Sequence, residues 1–137
     1  MEEPIALYLH IPFCKQKCLY CDFPSFACKD NLMFNYTNAL CKEIGSAANY
    51  KIGSIFIGGG TPTYLSLECL KLLKESIAKL DITENIEFTV EGNPDSFNSE
   101  KLSIFKDMGV NRLSIGLQAW QDTLLKNLGR AHNRQQF

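Results

Sequence analysis

The sequence has little of several features that mark particular classes of protein. It has no long hydrophobic run, because the longest apolar stretch, residues 5–13, is interrupted by His10 and Pro12 and is far shorter than the ~20 residues that span a bilayer. It has no excess of one charge, since 14 basic and 15 acidic residues leave a formal net charge of −1. We therefore expect no integral membrane segment and no nucleic-acid partner attracted by charge alone.

Export signals and linkers are also missing. The chain starts Met1-Glu2-Glu3-Pro4, which is acidic where a signal peptide is basic. No Pro/Gly/Ser-rich or low-complexity stretch divides the 137 residues, of which 45% are hydrophobic and 21% charged, as in ordinary globular domains. These features predict a single domain over residues 1–137 in a cytoplasmic protein.

Cysteine, in contrast, is plentiful, with six in the chain. In a reducing cytosol, clustered thiols indicate metal binding or catalysis rather than disulfides. Cys14, Cys18 and Cys21 form such a cluster. The other three are scattered, and we expect them to be small buried hydrophobic residues on or beside helices. They are Cys28, Cys41 and Cys69.

Strand and helix signals alternate along the chain. The predicted strands lie at 5–9, 54–57, 86–90 and 113–117. A helix is predicted after each strand, and the first three are expected to be capped by Asp30, Ser66 and Ser99, with Gly109 closing the third. The fourth is a short helical pattern around residues 124–128. This β-α repetition indicates parallel strands joined by helical crossovers.

Two α/β architectures are compatible with this order, an open doubly wound sheet and part of a (β/α) barrel. The glycine-rich nucleotide fingerprints of the first, G-x-G-x-x-G and G-K-[ST], are missing. The unusual polar or glycine-rich segments all follow strand ends, at the rim where barrels carry their active sites. They are residues 8–21, 58–63, 91–94 and 118 onward. The pattern predicts the first four β/α units of a partial, TIM-like barrel, with the rest of the barrel beyond Phe137.

The cysteine cluster follows the pattern Cys-x-x-x-Cys-x-x-Cys. A structural zinc site needs four protein ligands and normally a second pair, which the chain lacks. A [4Fe–4S] cluster held by three thiolates leaves one iron open for an external ligand. An incomplete zinc site, or three thiols that merely pack together, are the alternatives.

The segment from Cys14 to Cys21 resembles the cluster loop of radical S-adenosylmethionine (SAM) enzymes. In that superfamily SAM chelates the open iron, and an electron from the cluster cleaves it to a 5′-deoxyadenosyl radical. Within the superfamily, residues 7–14 resemble the oxygen-independent coproporphyrinogen III oxidases and their heme-chaperone relatives. Further matching segments follow in the family's order. They are residues 58–63, 91–94, 109–118 and 128–132.

This resemblance implies a role for ten residues. Three would hold the cluster, namely Cys14, Cys18 and Cys21. The others would bind SAM, namely Tyr8, Gly59, Gly60, Thr61, Glu91, Gln118 and Arg130. In the oxidases, the last two positions bind a second SAM. Glycine has no Cβ, so the glycine-rich turn would let the backbone approach the ligand closely. No residue is assigned as catalytic.

Two features favour the heme-chaperone branch over the oxidases. Phe23 stands where the oxidases carry a further cysteine, and Cys14 lies close to Met1 where they have a longer extension. The implied partners are SAM, heme or a porphyrinogen, and an electron donor such as flavodoxin or ferredoxin, with heme possible in the full-length protein. The alternatives are an oxidase that decarboxylates coproporphyrinogen III and an inactive truncated fragment. Since only the N-terminal part of the family is matched, this part alone is not expected to be active.

Overall fold

A computed structural model describes residues 3–137, so the expectation about export that rests on Met1 and Glu2 partly lies outside the described residues. Within residues 3–137 the strands are β1 (Ile5–Ile11), β2 (Phe13–Cys14), β3 (Phe26–Ala27), β4 (Lys51–Gly59), β5 (Asp81–Gly92) and β6 (Arg112–Ile115). The α-helices are α1 (Asp30–Ser46), α2 (Leu67–Ile77), α3 (Ser99–Met108) and α4 (Asp122–Asn127). None of the helices in this part of the chain is long and apolar enough to cross a membrane.

The main sheet has the strand order β1-β4-β5-β6, with every neighbouring pair parallel. Each long strand therefore pairs with the next one along the chain, and the order never reverses. A doubly wound sheet reverses its order at a switch point, whereas a barrel adds strands in sequence. The predicted α/β fold with barrel-type β/α units is confirmed.

The core lies between the sheet and its helices. Alternate residues of each strand point to one face of a sheet, and Ile55, Ile57, Phe88 and Val90 are all at most 2% exposed on the central strands. Helix α2 contacts both α1 and α3, so three helices cover this face side by side. The largest fully buried helical side chains that meet the strands are Ile44, Leu70, Leu73, Ile77 and Phe105.

The opposite face of the sheet is open at Tyr8 and Arg112, although Thr89 on the same face is buried. The strand register aligns Tyr8 with Phe56, Phe56 with Thr89, and Thr89 with Arg112 across it. Tyr8 is 54% exposed, and Arg112 forms an exposed ion pair with Glu87 at 3.1 Å. In a closed barrel this face would be the interior.

The helix starts differ in part from the sequence-based expectations. Ser66 caps α2 as predicted, because its side chain accepts a hydrogen bond from the Cys69 N–H. Helix α3 is instead capped by Asn98, whose side chain accepts from the Lys101 N–H, so the predicted cap Ser99 is the first helical residue. Asparagine and serine cap equally well, and extended backbone geometry selects Asn98 (φ −150°).

The start of α1 was also predicted incorrectly. Asp30 is the first helical residue rather than the cap, and the preceding Lys29 makes no side-chain capping bond. The Asp30 carboxylate instead accepts a hydrogen bond from the Tyr64 hydroxyl at 2.9 Å. A carboxylate in the first turn still interacts favourably with the helix dipole.

The chain turns earlier than expected after the last strand. Strand β6 ends at Ile115, so Leu117, which the alternation placed in the strand, lies in the following loop. The Gly116 N–H makes the final bond to the sheet, to the Gly92 carbonyl at 3.1 Å. Gln118 then adopts a left-handed backbone with φ +71°. At the end of α3, Gly109 has φ +96° and closes the helix as predicted.

Candidate cofactor site

A cavity of about 230 Å³ lies at the carboxyl ends of the parallel strands. One wall is the cysteine loop, residues 14–25, which connects the two short strands β2 and β3. The other walls are the ends of β4, β5 and β6 and the turn after α4. The lining includes nine of the ten residues expected at the site, namely Cys14, Cys18, Cys21, Gly59, Gly60, Thr61, Glu91, Gln118 and Arg130.

The three cysteines of the loop differ in their surroundings. Cys14 is buried, and its sulfur accepts a long hydrogen bond from the Thr61 hydroxyl at 3.6 Å. Cys18 and Cys21 are half-buried and are joined by a turn in which the Cys21 N–H donates to the Cys18 carbonyl. The Cys21 sulfur lies 3.8 Å from the Ser25 hydroxyl. All three cysteines line the cavity.

The far end of the cysteine loop is anchored to strand β1. His10 Nε2 lies 2.8 Å from the Pro24 carbonyl, and its Nδ1 lies 3.0 Å from the Tyr8 hydroxyl. A carbonyl only accepts, so Nε2 donates to Pro24, and Nδ1 forms a hydrogen bond with the Tyr8 hydroxyl. Tyr8 thus stands on the open face of the sheet, outside the lining of the cavity, and orients the histidine that holds the loop.

The middle of the cysteine loop is tied to the turn after α4. The Leu19 N–H donates to the Leu128 carbonyl at 3.1 Å, and the Gln16 side chain donates to the Gly129 carbonyl at 2.6 Å. Gly129 has φ +71°, a conformation that glycine adopts without strain. Residues more than 100 positions apart therefore form one wall of the cavity.

The glycine-rich turn after β4 uses its N–H groups within the protein. The Gly60 N–H donates to the Ile11 carbonyl at 2.7 Å, and the Thr61 N–H donates to the Phe13 carbonyl at 2.8 Å. These bonds continue the parallel pairing of β1 and β4 into the start of the cysteine loop. The N–H groups of Gly60 and Thr61 are therefore not free to bind a ligand in the cavity.

Glu91 joins the end of β5 to the same turn. Its Oε2 accepts a hydrogen bond from the Gly59 N–H at 3.3 Å. A Cβ on the neighbouring Gly58 would lie 2.7 Å from this oxygen, which is closer than real Cβ contacts allow. The carboxylate can take this position only because residue 58 has no side chain.

Arg130 makes the densest set of polar contacts in the site. Its Nη1 lies 3.4 Å from the Cys18 sulfur and 3.2 Å from the Tyr20 hydroxyl. Its Nη2 donates to the Asn93 side-chain oxygen and the Gly116 carbonyl, both at 2.7 Å. The Nε is buried without a partner among the described residues.

A second side chain of the same turn holds the loop that carries Gln118. His132 is buried, and its Nε2 donates to the Leu117 carbonyl at 3.2 Å. Burial, together with the nearby positive charge of Arg130, lowers the pKa of His132 from its ordinary value. Arg130 and His132 thus bind successive carbonyls, of Gly116 and Leu117, and fix the backbone just before Gln118.

Sequence reasoning missed several residues of the site. Asn93 and Tyr20 bind Arg130, and His10 and His132 hold loops, yet none had been assigned a role. Asn93 lies in the Glu-Gly-Asn-Pro segment that had been noticed, and its place at a strand end was the available signal. His10 lies within residues 7–14, which resemble the family, and that position was the available signal.

The scattered cysteines agree only in part with expectation. Cys69 is buried and Cys41 half-buried, and burial raises the pKa of the Cys41 thiol. Cys28 is exposed and has φ +58°, so its assignment as a buried residue was wrong. It precedes α1 in a loop, where no apolar layer covers it.

The donor set of the cavity suits an iron–sulfur cluster. Within residues 3–137, no three His, Cys, Asp or Glu side chains lie close enough together to bind one metal ion. A [4Fe–4S] cluster instead binds each thiolate through a different iron, so its ligands are distributed around a common space. Three cysteines of one loop line this cavity, and their number and chemistry fit such a cluster.

Comparisons with known proteins agree with this geometry. The chain is 44% identical to the heme chaperone HemW of Bacillus subtilis over 94% of its own length, and 39% identical to HemW of Escherichia coli over 97%. Its fold matches the coproporphyrinogen III oxidase HemN of Escherichia coli, a radical SAM enzyme, with a TM-score of 0.88 and 27% identity over 98% of the chain.

The chain spans only about a third of the length of these relatives, 36% and 37% of the two HemW proteins and 32% of HemN. The profile of the family described as "Radical SAM superfamily" matches residues 8–137, which include the cysteine loop and every wall of the cavity. This chain therefore belongs to the radical SAM superfamily, whose members in general use SAM and a [4Fe–4S] cluster.

Proposed function

We propose that residues 1–137 are a cofactor-binding domain of a radical SAM protein of heme metabolism, a heme chaperone similar to HemW. The observation that carries this proposal is the cavity, where three thiols of one loop meet the glycine-rich turn of β4, Glu91 and Gln118. We further propose a cytoplasmic location and, for the whole protein, an electron donor of the flavodoxin or ferredoxin class.

Cys14, Cys18 and Cys21 would hold the [4Fe–4S] cluster. Once bound and reduced, such a cluster supplies the electron with which radical SAM proteins cleave SAM. The burial of Cys14 and the hydrogen bond that it accepts from Thr61 restrict water on one side of the site. Hydrogen bonds to the sulfurs and exclusion of solvent both tune the reduction potential of such clusters.

SAM would bind between the glycine-rich turn and the ends of β5 and β6. Glu91 uses Oε2 for the Gly59 N–H, which leaves Oε1 to accept from a ribose hydroxyl. The N–H groups of Gly60 and Thr61 are bonded to protein carbonyls, so they would not donate hydrogen bonds to SAM. These two residues would instead let SAM lie close to the backbone. Tyr8 would contact SAM from the open face.

Gln118 and Arg130 line the same cavity as the glycine-rich turn, and in the related oxidases these positions bind a second SAM. A guanidinium suits a SAM carboxylate because its fork can bind both oxygens. In this chain four protein acceptors already surround Arg130. Direct binding of a second SAM would therefore require some of these contacts to open.

The chaperone assignment is supported over the oxidase by two observations. Identity to HemW of Escherichia coli is 39%, against 27% to HemN of the same organism. Phe23, an apolar side chain, lines the cavity where the oxidases carry a cysteine. The close match in fold to HemN keeps coproporphyrinogen III oxidation as the second candidate.

The test uses the whole protein that contains this chain, with its cluster rebuilt under anaerobic conditions. We expect SAM to perturb the electron paramagnetic resonance (EPR) signal of the reduced cluster, and heme to bind, with little protoporphyrinogen formed from coproporphyrinogen III. Porphyrin chromatography after incubation with a strong reductant measures how much protoporphyrinogen is formed. Rapid SAM-dependent decarboxylation would replace the chaperone assignment with the oxidase, and a protein that binds neither iron nor SAM would refute both.

A further inference from the structure

We infer that Arg130 is a positioning residue for the cluster, which fixes the Cys18 thiolate and raises the reduction potential of the site. This inference rests on the proposed function, because it assumes that Cys18 binds iron. It gives Arg130 a role toward the cluster that is separate from the binding of a second SAM.

The first support is the contact between the guanidinium and a cluster ligand. Arg130 Nη1 lies 3.4 Å from the Cys18 sulfur, although the two residues are 112 positions apart in the chain. Arginine remains charged at any pH at which the protein is folded. A charged donor makes a hydrogen bond to a thiolate that is about twice as strong as a neutral one.

The second support is the rigidity of the guanidinium. Nη2 is bound to the Asn93 side chain at the end of β5 and to the Gly116 carbonyl after β6, both at 2.7 Å. The group is therefore held by two strand ends while Nη1 faces the cysteine loop and also reaches the Tyr20 hydroxyl. A donor fixed in this way loses little entropy when it binds the sulfur.

The third support is that the other cations of the loop serve different partners. Lys17 donates to the Phe23 and Ser25 carbonyls at 2.9 and 3.1 Å, and Lys15 pairs with Asp95 at 3.4 Å. Among residues 3–137, Arg130 is the only cationic side chain that donates a hydrogen bond to a cysteine sulfur. Substitution of Arg130 would therefore remove the positive charge beside the Cys18 sulfur, and neither Lys15 nor Lys17 would replace it.

The consequence for the cluster follows from electrostatics. One-electron reduction adds negative charge to the cluster, and a fixed positive charge at a ligand sulfur stabilises the reduced form more than the oxidised form. Arg130 should therefore raise the midpoint potential. It should also keep Cys18 in place during assembly, because it joins the loop to two strands.

The test uses the whole protein that contains this chain and compares the unsubstituted form with Arg130→Gln, Arg130→Lys and the matched control Arg134→Gln. Arg134 is the other arginine of this segment, and its guanidinium lies over Trp120, 5.2 Å from the ring centroid, rather than on the cysteine loop. Both glutamine variants remove one positive charge from neighbouring positions. Iron content, circular dichroism and a potentiometric EPR titration with dithionite are measured on all four proteins.

We expect Arg134→Gln to match the unsubstituted chain, and Arg130→Gln to have a more negative midpoint potential and a several-fold faster loss of iron. Arg130→Lys keeps the positive charge but not the planar guanidinium. Its midpoint potential should therefore lie between those of Arg130→Gln and the unsubstituted protein. If Arg130→Gln holds too little iron to titrate, a midpoint of Arg130→Lys below that of the unsubstituted chain supports the inference. Equal midpoints in all folded proteins would overturn it. Failure of the unsubstituted chain to assemble a cluster would instead refute the proposed function.

Discussion

Gly60 lies directly against Cys14 at the start of the cysteine loop. A Cβ built on Gly60 would be 2.8 Å from the Cys14 sulfur and 2.7 Å from the Phe13 carbonyl oxygen. Both atoms are fixed, since Phe13 accepts from Thr61 and Cys14 is buried. The glycine is therefore needed for Cys14 to take this position, whether or not SAM approaches the backbone here.

We predict that Gly60→Ala lowers the iron content of the reconstituted protein several-fold, even before SAM is added. The reason is that the new methyl group must displace the Cys14 sulfur or the loop backbone. Gly45→Ala is the matched control, because a Cβ there meets nothing within 4 Å, and alanine in a helix stabilises by roughly 0.5–1 kcal/mol. Iron analysis and thermal unfolding compare the two. Full iron content in Gly60→Ala would show that the turn does not constrain Cys14.

Substitution should distinguish the cysteines of the loop, which the cluster requires, from the other cysteines, which it does not. Cys18→Ala should abolish the [4Fe–4S] absorption and EPR signals after anaerobic reconstitution, whereas Cys28→Ala should retain them. Cys28 is exposed and is not among the residues that line the cavity. A cluster that survives in Cys18→Ala but is lost in Cys28→Ala would show that the ligands are assigned wrongly.

Stability should depend on pH through His132. Burial and the charge of Arg130 hold the pKa of this histidine below its ordinary value of 6.5, against weaker opposing effects of Leu117, Asp95 and Asp122. Below about pH 6.5 the unfolded chain takes up a proton that the folded chain does not, so the free energy of unfolding falls as the pH falls. Above that pH the histidine is neutral in both states and contributes nothing to the slope.

Urea unfolding from about pH 8 to about pH 5.5 measures this dependence across the range in which histidine titrates. His132→Gln should show a smaller decrease in the free energy of unfolding over the same range. The glutamine amide can still donate to the Leu117 carbonyl, so the comparison isolates the titration. Identical slopes for the two proteins would show that His132 is not the group responsible.

The start of α3 gives a test of the capping assignment. Asn98→Ala should lower the free energy of unfolding by about 1 kcal/mol, because it removes the acceptor for the Lys101 N–H. Ser99→Ala should cost less, since Ser99 is the first helical residue and makes no capping bond. Denaturant unfolding of both variants gives the comparison. A larger loss for Ser99→Ala would restore the cap predicted from the sequence.

The sequence by itself determined the order of the four strands of the main sheet and of the four helices, because hydrophobic periods of two and 3.6 residues depend only on near neighbours in the chain. It did not predict the two short strands β2 and β3. It also indicated the superfamily, through the resemblance of the segment from Cys14 to Cys21, and of the motifs that follow it, to those of known members. Ser66 and Gly109 were predicted correctly as helix ends for the same reason, since capping is a local interaction. Asn98 shows the limit, because Asn98 and Ser99 have similar capping propensities and only the backbone angles decide which of them caps the helix.

Only the tertiary structure decided which distant side chains meet. The contact of Arg130 with the Cys18 sulfur crosses 112 positions and depends on the parallel pairing that brings the ends of β5 and β6 beside the cysteine loop. The fit of Gly60 to Cys14 and the bond from His10 to Pro24 arise in the same way. No local pattern encodes them, because each depends on how sheet register and loop closure place groups that are remote in the chain.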